Sequence, residues 1–293
     1  MSTSQTPILA SVPRTARFIT LGLVPDSSPR DALARLAAVS LPADCVIGIG
    51  DPLVRGVRRE LAGLRPFPAL GGPALTVPST QGALWAQVGA DEAGVGLHAA
   101  RALLAALGGG FRLDEDIAAF RYGTGRDLSE YEDGTENPKG ELAVAAAIVS
   151  GRGAGYDGGS FVAVQRYIHD LTRLERMTDR ERDFVIGRQR ATNEELADAP
   201  LSAHVKRAAQ ESFEPPAFMV RRSMPWGDVL LHGLYFVAFV AQLDTYERVL
   251  QRMLGRDDGT PDALFSFTRP VTGGYYFCPP LCDGRLDLRC VGL

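Results

Sequence analysis

Apolar and polar positions along the chain alternate between a strand period and a helix period, and the same succession occurs twice, about 150 residues apart. In the first half, residues 83–88 predict a very apolar strand, Asp91 and Glu92 form an acidic break, and an amphipathic helix follows to Leu107. Its apolar positions Leu97, Ala100, Leu103, Leu104 and Leu107 mark one face. In the second half, residues 234–240 predict the strand and Asp244 the cap. Tyr246, Val249, Leu250, Met253 and Leu254 line the buried side of the helix, which Gly255 stops. Each half also opens with a strand and a helix: residues 17–24 then 30–39, and residues 160–167 then a helix-prone stretch from Asp170.

A repeated order of strand, helix, strand, strand, helix suggests an internal duplication. Such a unit builds an antiparallel sheet with helices on one face, the ferredoxin-like arrangement, and two copies pack sheet against sheet. The predicted class is therefore α+β, two ferredoxin-like domains of the dimeric α+β barrel type. The glycine-rich residues 151–159 punctuate regular structure and set the expected boundary, giving domains 1–150 and 151–293. The most apolar long stretch, residues 229–243, is interrupted by His232 and Gly233 and falls short of the ~20 residues that cross a bilayer, so it reads as a buried core strand.

Composition narrows the function classes. Hydrophobic residues make up 45% of the 293 positions and charged residues 23%, a globular balance. The net charge is -4 and there is no long basic run, which argues against nucleic acid as a partner. Residues 1–14 lack the basic start and apolar core of an export signal, and no membrane partner is expected. Four cysteines without such a signal read as reduced thiols, so the expected location is cytoplasmic. Cys278 and Cys282 enclose two prolines and a leucine without the paired short spacings of a zinc site. The glycine cluster has no following Lys-Ser or Lys-Thr, so no phosphate loop is present.

Three strings carry candidate chemistry. The loop from Tyr131 through Glu132, Asp133, Gly134, Thr135, Glu136 and Asn137 to Pro138 is polar and turn-rich, and it positions side chains or forms a solvated turn. The stretch from Met219 to Gly227 suggests a strand entering a turn at Pro225. There Arg221 and Ser223 share a face and Arg222 points oppositely, towards water. An inward Arg221 needs either an anionic ligand or a core carboxylate. Of the four histidines, His98, His169 and His232 have ready packing or capping roles. His204 follows a polar stretch and is the candidate ligand. A metal-binding imidazole usually gives its second nitrogen to a carboxylate, and Asp262 is a candidate for that carboxylate.

In order and spacing, Gly125-Arg126-Asp127-Leu128, Asp133-Gly134-Thr135-Glu136-Asn137-Pro138, Ser202-Ala203-His204-Val205 and Arg221-Arg222-Ser223-Met224-Pro225 resemble the motifs of the B-type dye-decolourising peroxidases. The resemblance runs from about Arg17 to Pro280 and includes residues 271–277. It implies two ferredoxin-like halves holding haem b (iron protoporphyrin IX), with His204 as iron ligand and Asp262 as its carboxylate partner. Asp133, Arg221 and Ser223 become the catalytic residues on the other side of the haem, and Arg207, Gly134 and Thr135 are assigned to cofactor binding.

By the same resemblance the substrates are hydrogen peroxide and a dye or small-molecule reductant. Homo-oligomerisation and packaging as cargo of a protein shell are carried as expectations, and a haem-binding or haem-delivery protein is the alternative function. Three positions depart from the family: Glu130 and Tyr131 stand where it usually has Gly and Phe, and Ser223 stands where other members have asparagine. An aspartate base, with a reference pKa of about 3.9, predicts an acidic optimum. Trp226 and Tyr235 are candidate relays of electrons to bulky reductants, although ordinary aromatic packing is the favoured reading of both.

Overall fold

The computed structural model describes residues 3–293. The first half runs β1 (Thr15–Leu23), α1 (Pro29–Ala38), β2 (Cys45–Gly50), β3 (Leu84–Ala90), α2 (Ala93–Leu107) and β4 (Phe111–Phe120). The second runs β5 (Ser160–His169), α3 (Asp179–Ile186), α4 (His204–Arg207), β6 (Met224–Gly227), β7 (His232–Val240), α5 (Leu243–Met253) and β8 (Gly274–Cys278).

Hydrogen bonding orders the first sheet β4-β1-β3-β2 and the second β8-β5-β7-β6. Both read fourth, first, third, second, which is the ferredoxin-like order, so the duplication predicted from periodicity is present in the topology. The halves also join edge to edge. β2 pairs with β8 at Ile49 and Phe277, and β4 meets β6 at the single pair Ala119 and Trp226. These two seams close the strands into one antiparallel barrel, with helices packed around it.

Alternation along the strands gives each face its own core. Phe18, Val46, Trp85, Val162, Tyr235 and Phe239 fill the barrel. There Phe18 stacks on Tyr235 at 4.1 Å, and Trp85 Nε1 donates to Tyr235 Oη at 3.1 Å. The intervening residues, such as Ile47, Leu84 and Ala86, pack outwards beneath the helices, against Leu36, Leu103 and Leu250.

Several expectations need correction. Leu97, read as part of the buried face of α2, is 41% exposed, because the contact face runs through Gly96, Ala100, Leu103 and Leu107. Val229 and Leu230 are 93% and 89% exposed, in the turn between β6 and β7, and the buried strand starts only at His232. Asp244 lies in the first turn of α5 and pairs with Arg65, while Gln242 holds the cap position. His98 is exposed rather than packed. Pro225 lies within β6, opposite Leu234, and does not begin a turn.

The four cysteines are free, as expected. No group of three or more metal-ligating side chains occurs among the described residues. No helix among them is long and apolar enough to cross a membrane. After Pro280 the chain forms a short hairpin, Leu281–Cys282 with Arg285–Leu286, and returns Leu286, Leu288 and Val291 to the main core.

Candidate active site

The loop after β4 is held by its own polar groups. Asp127 N donates to Tyr131 O at 3.0 Å, Asp133 N donates to Gly125 O at 3.1 Å, and Arg126 pairs with Glu132 at 2.9 Å. Asp127 accepts from Ser129 N at 2.9 Å and from His169 Nε2 at 3.0 Å, while His169 Nδ1 lies 2.7 Å from Thr268 Oγ1. His169, at the end of β5, therefore pins the loop to the second half of the barrel. Burial alone would raise the Asp127 pKa. The charge and hydrogen bond of His169, with the Ser129 contacts, outweigh that and bring it from 3.8 to about 2.

A carboxylate depressed in the folded state adds stability that is fully present above its unfolded pKa and is lost as pH falls through the folded one. Asp127 should contribute about 2 kcal/mol that disappears between pH 4 and pH 2. Urea unfolding of the parent and Asp127→Asn across that window tests this. The stability gap between them should narrow as pH falls, and a constant gap refutes the assignment.

Glu130 takes a left-handed backbone, φ 71°, at the position where the resemblance expects glycine. The loop thus keeps a conformation that glycine adopts freely and any other residue adopts at a cost of about 1–2 kcal/mol. Its carboxylate pairs with Arg190, which partly offsets that cost. The neighbouring Tyr131 is 4% exposed and donates its phenol proton to Asp183 Oδ1 on α3 at 2.5 Å.

Asn137 joins the loop to the arginine strand. Its side chain donates Nδ2 to Arg221 O at 3.1 Å and accepts from Arg221 N at 2.7 Å, a two-bond clamp on the Arg221 backbone. Gly134 has φ 74°, and a Cβ there would stand 2.8 Å from Asn137 Nδ2, so glycine is required by both backbone and clamp. The Arg221 Nε is buried and has no hydrogen-bond partner among the described residues. Arg222 does not face water as expected. It is half-buried and donates to Arg221 O at 2.9 Å and Leu9 O at 3.0 Å, satisfying two carbonyls at the barrel mouth. Ser223 Oγ accepts from Val237 N at 3.3 Å.

His204 opens α4. Its Nδ1 lies 2.7 Å from Asp262 Oδ2, and that carboxylate is fully buried. An ionised carboxylate only accepts, so Nδ1 carries a proton and, in the neutral imidazole, Nε2 keeps its lone pair. Asp262 is itself fixed, because Oδ1 accepts from Leu264 N at 2.8 Å. Gly187, left-handed at the end of α3, gives the His204 segment room: a Cβ there would lie 2.3 Å from Val205 Cγ2. Arg207, expected at the cofactor, is 2% exposed and does not line the cavity. Its guanidinium is occupied by Asp257, Asp258 and Arg252 O.

The structure brings His204, Asp133 and Arg221 onto one cavity with about 920 Å³ of unfilled space, part of it open to solvent. Its walls are largely apolar and include Ile186, Met219, Leu234, Phe236, Val249 and Leu264. A polar channel lined by Arg121, Thr124, Arg126, Gly134 and Ser223 meets it at Asp133 and Arg221, and a recess containing Thr135 and Arg188 meets it at His204. Ser223 is thus in the channel rather than the main cavity.

Burial pushes the Asp133 carboxyl above its ordinary value. Arg221 works against that shift and Asp127 adds to it. The residues fit a flat macrocycle with a central metal: apolar walls for the ring, an oriented imidazole Nε2 for the metal, and an unpartnered guanidinium for a charged group. Asn137, His169 and Asp183 escape a sequence reading as functional parts, because the partners that define them lie 42 to 84 residues away.

Residues 5–121 match the family description "Dyp-type peroxidase, N-terminal" and residues 124–283 match "Dyp-type peroxidase, C-terminal". A dye-decolorizing peroxidase of Mycobacterium tuberculosis is 30% identical over 299 residues, covering 95% of this chain and 89% of its own. Among solved structures, DyPB from Rhodococcus jostii RHA1 superposes with a TM-score of 0.86 at 26% identity, covering 94% of this chain and 95% of that one. A variant of that protein in complex with heme gives 0.86 at 27% identity, covering 93% and 94%. A putative Dyp-type peroxidase from Shewanella oneidensis gives 0.88 at 25% identity, covering 99% and 98%.

Proposed function

Because the chain belongs to the Dyp-type peroxidase family, we propose that it is a haem b peroxidase in which His204 holds the iron and Asp133 and Arg221 act on peroxide in the same cavity. One observation carries the assignment of the iron ligand: Asp262 Oδ2 accepts from Nδ1 of His204, which directs the ring so that Nε2 of the neutral imidazole is the nitrogen available in an apolar-walled cavity. Bound there, haem supplies the iron at which peroxide is taken up and reduced to water, leaving oxidising equivalents for dyes or phenolic reductants.

The residues supply the rest. The Asp133 carboxylate would accept a proton from one peroxide oxygen and return it to the other, which would leave as water. Arg221 is unpartnered at Nε and held in place by Asn137. Its guanidinium would meet the negative charge that develops on the departing oxygen. Asp262 makes His204 a stronger electron donor. Ser223 and Gly134 border the polar channel to Asp133, and Thr135 borders the recess that meets the cavity at His204.

In this reading residues 1–150 bring the aspartate loop and residues 151–293 bring the iron ligand. Two buried thiols, Cys45 and Cys278, suit a reducing cytoplasm. The exposed Val229 and Leu230 suit burial against a second copy of the chain.

Addition of haem to the purified protein tests the function. A Soret band that saturates at one haem per chain, and that changes on adding one equivalent of peroxide and returns on adding a phenolic reductant, is expected. Absence of saturable binding overturns the reading. Binding without any response to peroxide leaves a haem carrier instead of a peroxidase.

A further inference from the structure

Three tyrosines line the haem cavity: Tyr131, Tyr167 and Tyr246. They differ in what receives the phenol proton. Tyr167 Oη donates to Gln165 Oε1 at 3.1 Å, and Tyr246 donates to the same oxygen. An amide oxygen accepts a hydrogen bond but cannot take up the proton at ordinary pH. Tyr131 donates to a carboxylate, Asp183 Oδ1, at 2.5 Å. Asp183 is half-buried rather than enclosed, and the same Oδ1 accepts from Arg190 N at 3.1 Å. It therefore stands between a buried phenol in the cavity wall and the solvent side of α3.

This arrangement has a chemical consequence. Burial, and then the hydrogen bond and charge of Asp183, hold the Tyr131 proton well above the ordinary phenol range, so the resting side chain is neutral. A neutral phenol that loses an electron becomes a very strong acid. Its oxidation is accessible only where a base already holds the proton's destination. Among the cavity tyrosines only Tyr131 has one. The position is also where the chain departs from the family, which usually carries phenylalanine there, so the hydroxyl is a property of this sequence.

We propose that Tyr131 is a reversible electron relay of this enzyme, with Asp183 as its proton acceptor, through which reductants too large for the cavity are oxidised beside α3. The relay rests on the peroxidase reading above, since the oxidant is the one that peroxide leaves in the cavity. Tyr131 gives one electron to that oxidant, its O–H bond breaks, and the proton moves to Asp183 Oδ1. An external reductant then returns one electron to the Tyr131 ring, and Asp183 gives the proton back. In sum the reductant loses one electron, the oxidant in the cavity gains it, and both side chains end as they began. Trp226 and Tyr235, the candidate relays read from sequence, are less suited. Trp226 donates its Nε1 proton to a backbone carbonyl, Tyr167 O, and Tyr235 is enclosed in the barrel against Phe18 and Trp85.

The test uses the haem-loaded protein and electron paramagnetic resonance after one equivalent of peroxide. The parent should show a tyrosyl signal. Tyr131→Phe keeps the ring that fills the wall and should retain the Soret band and its peroxide response while losing that signal. Oxidation of a bulky dye should fall severalfold relative to that of a small phenol that enters the cavity. Asp183→Asn keeps an acceptor oxygen but removes the base, and should lose the signal as well.

A parent without a tyrosyl signal overturns the proposal, as does a signal unchanged in Tyr131→Phe. A signal that instead disappears in Tyr275→Phe would move the relay to the other phenol bonded to a carboxylate, Glu247 at 3.3 Å, and would equally overturn it. Loss of the Soret band or of its peroxide response in the parent would refute the peroxidase reading, so the two failures are distinguishable.

Discussion

Asp133→Asn should lower the rate of reaction with peroxide by about 10²–10⁴-fold, the usual worth of a positioned general base, while haem uptake stays at the parent level. The amide keeps the shape of the side chain and can still accept from the Gly134 N–H, so the loop and the Asn137 clamp are preserved. What is lost is the ability to take a proton. Stopped-flow measurement of the peroxide-induced Soret change separates the two readouts, and a variant within threefold of the parent would remove Asp133 from the mechanism.

The pH dependence of the same rate follows from the environment of Asp133. The active form is the carboxylate, so activity is lost as pH falls through its folded pKa. Burial raises that pKa above 3.8, with Asp127 adding to the shift and Arg221 opposing it. The acid limb therefore lies above the value for an unperturbed aspartate, although the preference for acid over a histidine base remains. Removing the opposing charge with Arg221→Leu should move the limb to higher pH, and removing the reinforcing charge with Asp127→Asn should move it lower. Equal limbs in all three proteins would contradict this account.

Where sequence was informative, the signal was either periodic or local. The two-fold order of strands and helices came from apolar spacing, because a barrel strand must alternate and a helix must show one buried face. The resemblance pointed to His204, Asp133 and Arg221, which the structure gathers on one cavity. It fails where a side chain's meaning depends on a distant partner. Arg207 was assigned to the cofactor and Arg222 to solvent. Yet Arg207 finds Asp257 and Asp258 some 50 residues on, and Arg222 finds Leu9 O across the barrel mouth.

Exposure is likewise decided by tertiary contact. The apolar run at Val229 and Leu230 continues the pattern of the strand but lies beyond the last pairing of β7 with β6, so nothing covers it within the chain. The barrel type followed from the duplication, but the seams that close it were not legible, since a single pair at Ala119 and Trp226 makes one of them. The depth of the departure at Tyr131 was equally hidden, because Asp183, which gives the phenol its proton acceptor, lies 52 residues away in a helix with no motif.

His204→Ala should abolish saturable haem binding, and Asp262→Asn should weaken it by about 10–100-fold, the usual effect of losing the carboxylate behind a metal-bound imidazole. The asparagine has one acceptor where Asp262 uses two, taking the His204 proton on Oδ2 and the Leu264 N–H on Oδ1. If its oxygen keeps Leu264, its amide donates to His204 Nδ1 and drives the ring proton to Nε2, where it blocks the metal. If its oxygen keeps His204, the Leu264 cap is lost and the neutral amide makes His204 a poorer donor. Either way haem affinity falls, and in the bound fraction the iron reduction potential should rise.

His204→Ala has a second effect that must be separated from ligation. It leaves the fully buried Asp262 carboxylate without the Nδ1 proton it accepts, at a cost of about 1.5–3 kcal/mol in stability. The double variant His204→Ala with Asp262→Asn removes that stranded charge and should recover part of the stability without recovering haem. Haem titration and urea unfolding of the three variants decide the matter. Haem bound tightly by the double variant would mean that another side chain ligates the iron, whereas stability restored with binding still absent assigns the ligand to His204 itself.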